Sequence, residues 1–164
     1  MELEIRSATN FITYLISKSK FKKSITKKQR RKFNKELYNI LIKRYKDRWY
    51  TEMPHKGSGY RCIRIGDRYD PVIVEACRLT GWQSETSRLY FPNELTIWID
   101  PNEVRYRIGT NGSIITLYNK QTQLNKGENT LRPWQPQDAE THQKDINQLS
   151  MEGVWEKLEK YVNA

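Results

Sequence analysis

The stretch LTIWIDPNEVRYRIGTNGSIITLY, residues 95–118, contains three segments in which apolar and polar residues mostly alternate. This alternation is typical of strands that bury one face and expose the other. Pro101 and Asn102 separate the first two segments, and the tetrapeptide GTNG, in which Asn111 and Gly112 tolerate a positive φ, separates the second from the third. Connections this short predict three consecutive antiparallel strands.

The first of these strands raises the question of why a tryptophan stands at position 98. If the three aliphatic residues of LTIWID face the core, then Thr96, Trp98 and Asp100 face water. A tryptophan at such a position is covered either by another element of the same chain, for instance a C-terminal helix, or by a binding partner. The alternation alone favours neither interpretation.

A shorter segment, YRCIRI at residues 60–65, predicts a further strand. Its two isoleucines share one face, so Tyr60, Cys62 and Arg64 share the other. Burial of an exposed aromatic side chain by a partner stabilises a complex by about 2 to 3 kcal/mol, and Trp and Tyr are enriched in interface hot spots. Tyr60 and Trp98 are therefore candidates for the centre of a protein–protein interface.

Two helices are predicted before these strands. The first covers residues 3–18, and its buried stripe consists of Ile5, Ala8, Phe11, Ile12, Leu15 and Ile16. The second begins at the capping box Thr26–Gln29, and its inner face consists of Phe33, Leu37, Ile40, Leu41 and Tyr45. The short loop between the two helices favours an antiparallel pair.

Between the strands YRCIRI and LTIWID, the sequence predicts inserted helices. Asp70 and Pro71 form a typical helix start, and Gly81 is a typical helix end. Ser84 is expected to cap one further turn that ends near Leu89. Helices followed by a mostly antiparallel sheet with inserted helices indicate an α+β domain, in which the N-terminal helical pair packs on the sheet.

The α+β domain is expected to cover residues 1–118. Residues 119–137 are polar and contain glycine and proline, which is typical of a linker. In the tail, residues 138–164, a short amphipathic helix is indicated by Met151, Val154, Trp155 and Leu158. Such a helix either docks on its own domain or stays frayed until a partner binds. We favour a mobile tail that binds a second partner, so that deletion of residues 121–164 leaves the melting temperature almost unchanged.

The sequence contains no recognisable catalytic or metal-binding motif. Its two cysteines and two histidines lack the spacing of CxxC or HExxH sites, and GSG at residues 57–59 lacks the rest of a phosphate-binding loop. We therefore expect no enzyme activity, no cofactor, no metal and no small-molecule substrate. The sequence also lacks an apolar run of membrane-spanning length and a recognisable secretory signal, which predicts an intracellular protein.

Positive charge is concentrated near the N-terminus. Residues 1–50 contain 15 Lys and Arg against 4 Asp and Glu, whereas the whole chain has a net charge of +10. A basic surface attracts phosphate groups, and the attraction falls steeply with salt. The outer face of the second helix is therefore either a solvated surface or a site of weak RNA contact, and an RNA-binding module is the alternative to a protein-binding adaptor. The candidate nucleic-acid contacts are Lys27, Lys28, Arg30, Arg31 and Lys35.

Two longer stretches are similar to the signature boxes of the BTG/Tob antiproliferative family. WYTEMPHKGSGYRCIRIGDRYDPVI, residues 49–73, resembles box A, and FPNELTIWIDPNEVRYRIGTNGSI, residues 91–114, resembles box B. The opening MELEIRSATNFITYL resembles the first helix of the same family. The resemblance covers residues 1–118 in the expected order and spacing.

The resemblance implies a noncatalytic adaptor of the cytoplasm and nucleus that restrains cell proliferation. The implied partner is the DEDD-type poly(A) deadenylase subunit of the CCR-NOT complex, whose recruitment promotes mRNA deadenylation. The residues expected to contact the deadenylase are Tyr60, Trp98, Asp100, Pro101, Pro54 and Lys56. Under this interpretation, Trp98 faces outward because a partner covers it.

Overall fold

A computed structural model of the chain describes residues 1–19, 21–82, 90–92, 94–128 and 130–140. The helices and strands are α1 (Glu2–Lys18), α2 (Lys27–Tyr45), β1 (Cys62–Ile65), α3 (Pro71–Thr80), β2 (Leu95–Asp100), β3 (Glu103–Ile108), β4 (Ile115–Asn119) and α4 (Lys120–Asn125). Short 3-10 turns cover Lys22–Ser24, Ser58–Arg61 and Pro136–Glu140. The turn predicted from Ser84 to Leu89 and the helix predicted from Met151 to Leu158 lie outside the described residues.

The four strands form one antiparallel sheet in the order β1-β2-β3-β4. Ile97 of β2 lies opposite Ile63 of β1 and Tyr106 of β3, so the buried positions of adjacent strands form one continuous apolar face. The other face carries Trp98, which lies opposite Cys62 and Arg105. The predicted α+β fold with consecutive antiparallel strands is confirmed.

The helices cover the apolar face of the sheet. The α1 helix packs against β2, β3 and β4, the α2 helix packs against α1, and α3 packs against α2. Phe11 of α1 lies with its ring centroid 4.3 Å from that of Tyr106, which joins the helical layer to the sheet. All six residues of the predicted α1 stripe are buried, as are Phe33, Leu37, Leu41 and Tyr45 of α2.

Local capping signals act as predicted. The Thr26 hydroxyl accepts a hydrogen bond from the Gln29 amide, and the Gln29 side chain accepts one from the Thr26 amide, so the capping box starts α2. The Asp70 carboxylate accepts from the Val72 amide at the start of α3. Gly81 adopts a φ of 85° and ends the same helix.

The β3–β4 turn differs from the prediction in the position of its positive φ. Gly109, not Asn111 or Gly112, has a φ of 78°. Gly112 is required for a different reason, because a Cβ atom there would lie 2.0 Å from the Ile108 carbonyl oxygen. The sequence therefore identifies the residues of the turn, but it does not show that Gly109 supplies the positive φ and that Gly112 leaves room for a close backbone contact.

The segment predicted as a linker lies on the domain. Trp134 is buried, and its ring makes edge contacts with Phe11 at 5.5 Å and Tyr14 at 5.6 Å between centroids. The Trp134 main-chain amide donates to the Ser7 hydroxyl at 2.8 Å, and its carbonyl accepts from the side-chain amide of Asn10 at 2.9 Å. A single aromatic residue therefore anchors an otherwise polar segment to α1.

Candidate functional site

The loop that precedes β1 is held by a buried arginine. The guanidinium of Arg61 has no exposed surface, and its Nη2 lies 2.8 Å from Oδ1 of Asp100. Its Nε donates to the Ile99 carbonyl at 3.0 Å, and Ser58 donates its hydroxyl to the other Asp100 oxygen at 2.8 Å. A buried ion pair is tolerated when both groups are fully hydrogen-bonded, as these contacts provide.

Arg61 also bonds to the main chain of the loop itself. Its guanidinium nitrogens donate to the carbonyl oxygens of Arg48 at 2.8 Å, Lys56 at 2.9 Å and Pro54 at 2.6 Å. The same guanidinium lies 5.5 Å from the centroid of the Trp49 ring. One side chain therefore fixes the shape of residues 48–61 and joins that loop to the end of β2.

Tyr60 lies on the surface of this loop, in the 3-10 turn before β1, and is 37% exposed. Its ring has the guanidinium carbon of Arg48 at 4.4 Å and that of Arg44 at 5.1 Å from its centroid. Its neighbour Tyr45 is buried, with 6.4 Å between the ring centroids. Two cations and a buried ring therefore set the orientation of Tyr60 while part of it remains exposed.

Trp98 is half-buried on the outer face of the sheet. Arg107 of β3 lies with its guanidinium carbon 5.8 Å from the centroid of the indole. Cys62, the register partner of Trp98 in β1, is two residues after Tyr60, which brings both aromatics to the same part of the molecule. Burial raises the pKa of the Cys62 thiol, and the neighbouring Arg64 partly offsets the increase.

The expectation that Thr96 and Asp100 face water was wrong. Thr96 is 8% exposed and lies between Arg64 and Arg107 on the outer face, where these long side chains flank it. Asp100 is 3% exposed because it turns toward Arg61, and Pro101 is also buried. Asp100 and Pro101, two of the predicted deadenylase contacts, therefore lie beneath the surface.

The other predicted contacts belong to the loop that Arg61 holds. Pro54 is half-buried, and Lys56 is exposed with its Nζ 4.4 Å from the centroid of the Tyr50 ring. The predicted candidates therefore form two layers, with Tyr60, Trp98 and Lys56 at the surface and Asp100 below them.

The predicted nucleic-acid contacts lie elsewhere. The four residues Lys27, Lys28, Arg31 and Lys35 are exposed on α2, and Arg30 is half-buried with its Nη1 2.9 Å from the Ile25 carbonyl oxygen. Because α2 packs on α1, and α1 covers the apolar face of the sheet, these cations are separated from Trp98 by the sheet and a helical layer.

The functional role of Arg61 is not apparent from local sequence patterns, although one signal was present. In YRCIRI it precedes Ile63 by two positions, which is the spacing of residues that share a face in a strand. The spacing that places the isoleucines in the core therefore also predicts a buried position for Arg61, although the structure places it in the 3-10 turn that precedes β1. The charge of arginine is the reason that it was not considered a core residue.

The described residues include no group of three or more His, Cys, Asp or Glu side chains suited to holding a metal ion. In the same part of the chain, no helix combines the length and apolar character that crossing a bilayer requires. The surface formed by Tyr60, Trp98 and their flanking arginines is suited to binding a macromolecule through aromatic burial and charge.

Comparison with known proteins gives a consistent result. Residues 1–118 match the model of the BTG family. Tob1 of Homo sapiens is 43% identical over 119 residues, which is 72% of this chain and 33% of Tob1. BTG1 of Homo sapiens is 43% identical over 115 residues, which is 70% of this chain and 66% of BTG1. The match therefore spans about a third of the Tob relative's length.

A solved structure has the same fold. The C. elegans FOG-3 BTG/Tob domain superposes with a TM-score of 0.62, covering 80% of this chain and 90% of that chain. At 22% sequence identity, this likeness concerns the fold alone.

Proposed function

This chain belongs to the BTG family, and from that premise we propose that it is a noncatalytic adaptor for the poly(A) deadenylase subunit of the CCR-NOT complex. In this proposal the adaptor promotes mRNA deadenylation in cytoplasm and nucleus and thereby restrains proliferation. The observation that carries it is the partial exposure of Tyr60 and Trp98 near one another, on a loop and strand that Arg61 holds together.

The arrangement supports binding because the two aromatics are oriented before a partner arrives. The Arg48 and Arg44 side chains lie over Tyr60, and Arg107 lies beside Trp98. Preorganised side chains lose less conformational entropy on association, and burial of their remaining surface adds to affinity. The arginines also favour a partner with acidic residues around the centre of its binding surface.

The buried candidates have an indirect role in this proposal. Asp100 holds Arg61, and Arg61 holds the carbonyls of Pro54 and Lys56, so replacement of Asp100 disturbs the presented surface. Asp100 is thus proposed as a positioning residue for the interface. Lys56 is exposed and remains a direct contact in the proposal.

The test is a calorimetric titration of the purified deadenylase subunit with the wild-type chain, Trp98→Ala and Tyr60→Ala. Each variant should weaken binding by about 2 kcal/mol or more, as truncation of a hot-spot residue does. Ile114→Ala is the matched control, since Ile114 is an apolar residue that is 54% exposed in the β3–β4 connection, and it should leave affinity within about twofold.

Two results would contradict the proposal. Equal affinity of wild type and Trp98→Ala would remove the sheet face from the interface. Shortening of poly(A) RNA by the purified chain without a deadenylase would contradict its noncatalytic role.

The titration is repeated at high salt to distinguish the adaptor from an RNA-binding module. A complex held by aromatic burial persists at a salt concentration where phosphate contacts have weakened by orders of magnitude.

A further inference from the structure

A groove on the helical side of the molecule is distinct from the surface around Trp98. It has a volume of about 560 Å³ and lies between α1, the first turns of α2 and the segment that follows Trp134. Lys27, Arg30 and Arg31 line it from α2, and Gln135 and Gln137 line it from that segment. The groove therefore exists because Trp134 docks on α1.

Its charge is uncompensated within the described part of the chain. Among the described residues, no ion pair involves Lys27, Arg30 or Arg31, and the first turn of α2 has no acidic residue. The N-terminus of a helix carries a partial positive charge and favours anions. Cations at this end of the helix are repelled by the positive end of the helix dipole and by one another. A bound anion would reduce both repulsions.

The remaining lining is polar and suits a sugar–phosphate chain. The side-chain amide of Asn34 donates to the side-chain carbonyl oxygen of Asn10 at 3.2 Å and to the Thr13 hydroxyl at 3.1 Å. These bonds hold polar groups in place at the bottom of the groove, between α1 and α2. Tyr14 is half-buried at the same groove and offers part of an aromatic ring. Among the described residues that line the groove, Pro136 is the one aliphatic residue, so the groove lacks the cluster of apolar side chains that anchors a peptide.

The shape of the site distinguishes among anionic partners. A membrane presents a flat surface, and a nucleic-acid duplex presents its phosphates on a convex, rigid rod. A single strand is flexible enough to enter a concave groove and can place phosphates against cations and bases or sugars against amides. We propose that this groove binds single-stranded RNA through its backbone, with Lys27, Arg30 and Arg31 as phosphate contacts.

The placement of the groove makes this activity independent of the adaptor surface. The α1 helix covers the apolar face of the sheet, whereas Trp98 lies on the opposite face. An RNA strand and a protein partner at Trp98 therefore occupy different sides of the molecule. The chain can hold both at once.

The experiment measures fluorescence anisotropy of a short labelled single-stranded RNA over a salt series. Lys27→Gln with Arg31→Gln removes two groove cations, and Lys28→Gln with Lys35→Gln removes two exposed cations of the same helix that do not line the groove. Both double variants lose the same net charge, and both replace exposed side chains, so thermal melts should match wild type.

The groove variant should bind RNA about tenfold or more weakly, and its slope of log affinity against log salt should fall by about 1.4, the value for two lost single-strand phosphate contacts. The control variant should bind within about twofold of wild type and keep its slope. Equal losses in the two variants would overturn the proposal in favour of diffuse charge. Equal binding of a duplex of the same sequence, or groove-dependent binding to anionic vesicles but not RNA, would also overturn it.

Discussion

Arg61 and Asp100 form a buried ion pair, with 2.8 Å between Nη2 and Oδ1, at the point where the loop before β1 meets the end of β2. Both side chains are almost completely shielded from water, with exposed fractions of 0% and 5%. The pair differs from an isolated buried salt bridge because the arginine also donates to the carbonyls of Arg48, Pro54, Lys56 and Ile99.

We predict that Asp100→Ala lowers the free energy of unfolding by about 3 kcal/mol, because it leaves a buried guanidinium without its counter-charge. Urea denaturation measures this. Arg105→Ala is the control: its nearest Asp100 contact is 3.9 Å and it is partly exposed, so the cost should be about 0 to 1 kcal/mol. The double variant Arg61→Met with Asp100→Leu should not regain wild-type stability, because the loop carbonyls lose their donor. Full recovery would show that the loop does not depend on Arg61.

The second prediction concerns Trp134. Trp134→Ala should destabilise the domain by about 3 kcal/mol, since it leaves a cavity beside Phe11 and Tyr14. Trp134→Phe should cost less, because the indole Nε1–H has no acceptor among the described residues and its loss removes no hydrogen bond.

Truncation extends the same prediction. A chain that ends at residue 118 should melt several degrees below one that ends at residue 140, because the shorter chain loses every Trp134 contact with α1. This reverses the expectation from the sequence that deletion of residues 121–164 would be neutral. Identical melting temperatures for the two truncated chains would show that the docked segment adds nothing to stability.

The third prediction is a pH dependence. Burial, together with the nearby carboxylate of Glu4, raises the pKa of Tyr118 to about 12 in the folded protein. An unfolded tyrosine has a pKa of about 10, so between these values the folded state holds more protons than the unfolded state. The contribution is fully present below the unfolded pKa and is lost as pH rises through the folded pKa. Urea midpoints from neutral to strongly alkaline pH should therefore fall more steeply for wild type than for Tyr118→Phe; parallel curves would contradict this.

The fourth prediction separates two glycines. Gly112→Ala should destabilise the domain by about 1 to 3 kcal/mol, because the added Cβ would meet the Ile108 carbonyl oxygen at 2.0 Å and that atom belongs to the backbone. Gly66→Ala places its Cβ in open space, with no positive φ, and should be neutral or slightly stabilising. A thermal melt of both variants decides the matter, and equal midpoints would mean that the β3–β4 turn relaxes freely.

Local signals in the sequence were sufficient for most of the fold. Helix caps such as Thr26 and Asp70 act within a few residues, and the alternation of apolar and polar residues in β3 matches its alternation of buried and half-buried positions. The exposure of Trp98 followed from the same alternation, although Arg107 beside it covers part of the ring.

The features that were not predicted depend on contacts between distant residues. Asp100 was assigned to water because its strand position faces away from the core, but Arg61 binds it from the preceding loop. Trp134 stands in a polar stretch, and its partners Ser7 and Asn10 are separated from it by more than a hundred residues. Local sequence patterns reflect interactions between residues that are close along the chain, whereas these contacts are set by the packing of the whole domain.

The bonding of Arg61 has a consequence for how such a protein can diversify. It recognises the loop by main-chain oxygens, which every amino acid provides, and not by the identity of the side chains at positions such as Met53 or Lys56. Substitution at these outward positions changes the chemistry displayed to a partner without removing a bond that defines the loop. The interface can therefore acquire new preferences by ordinary mutation while its frame is inherited unchanged.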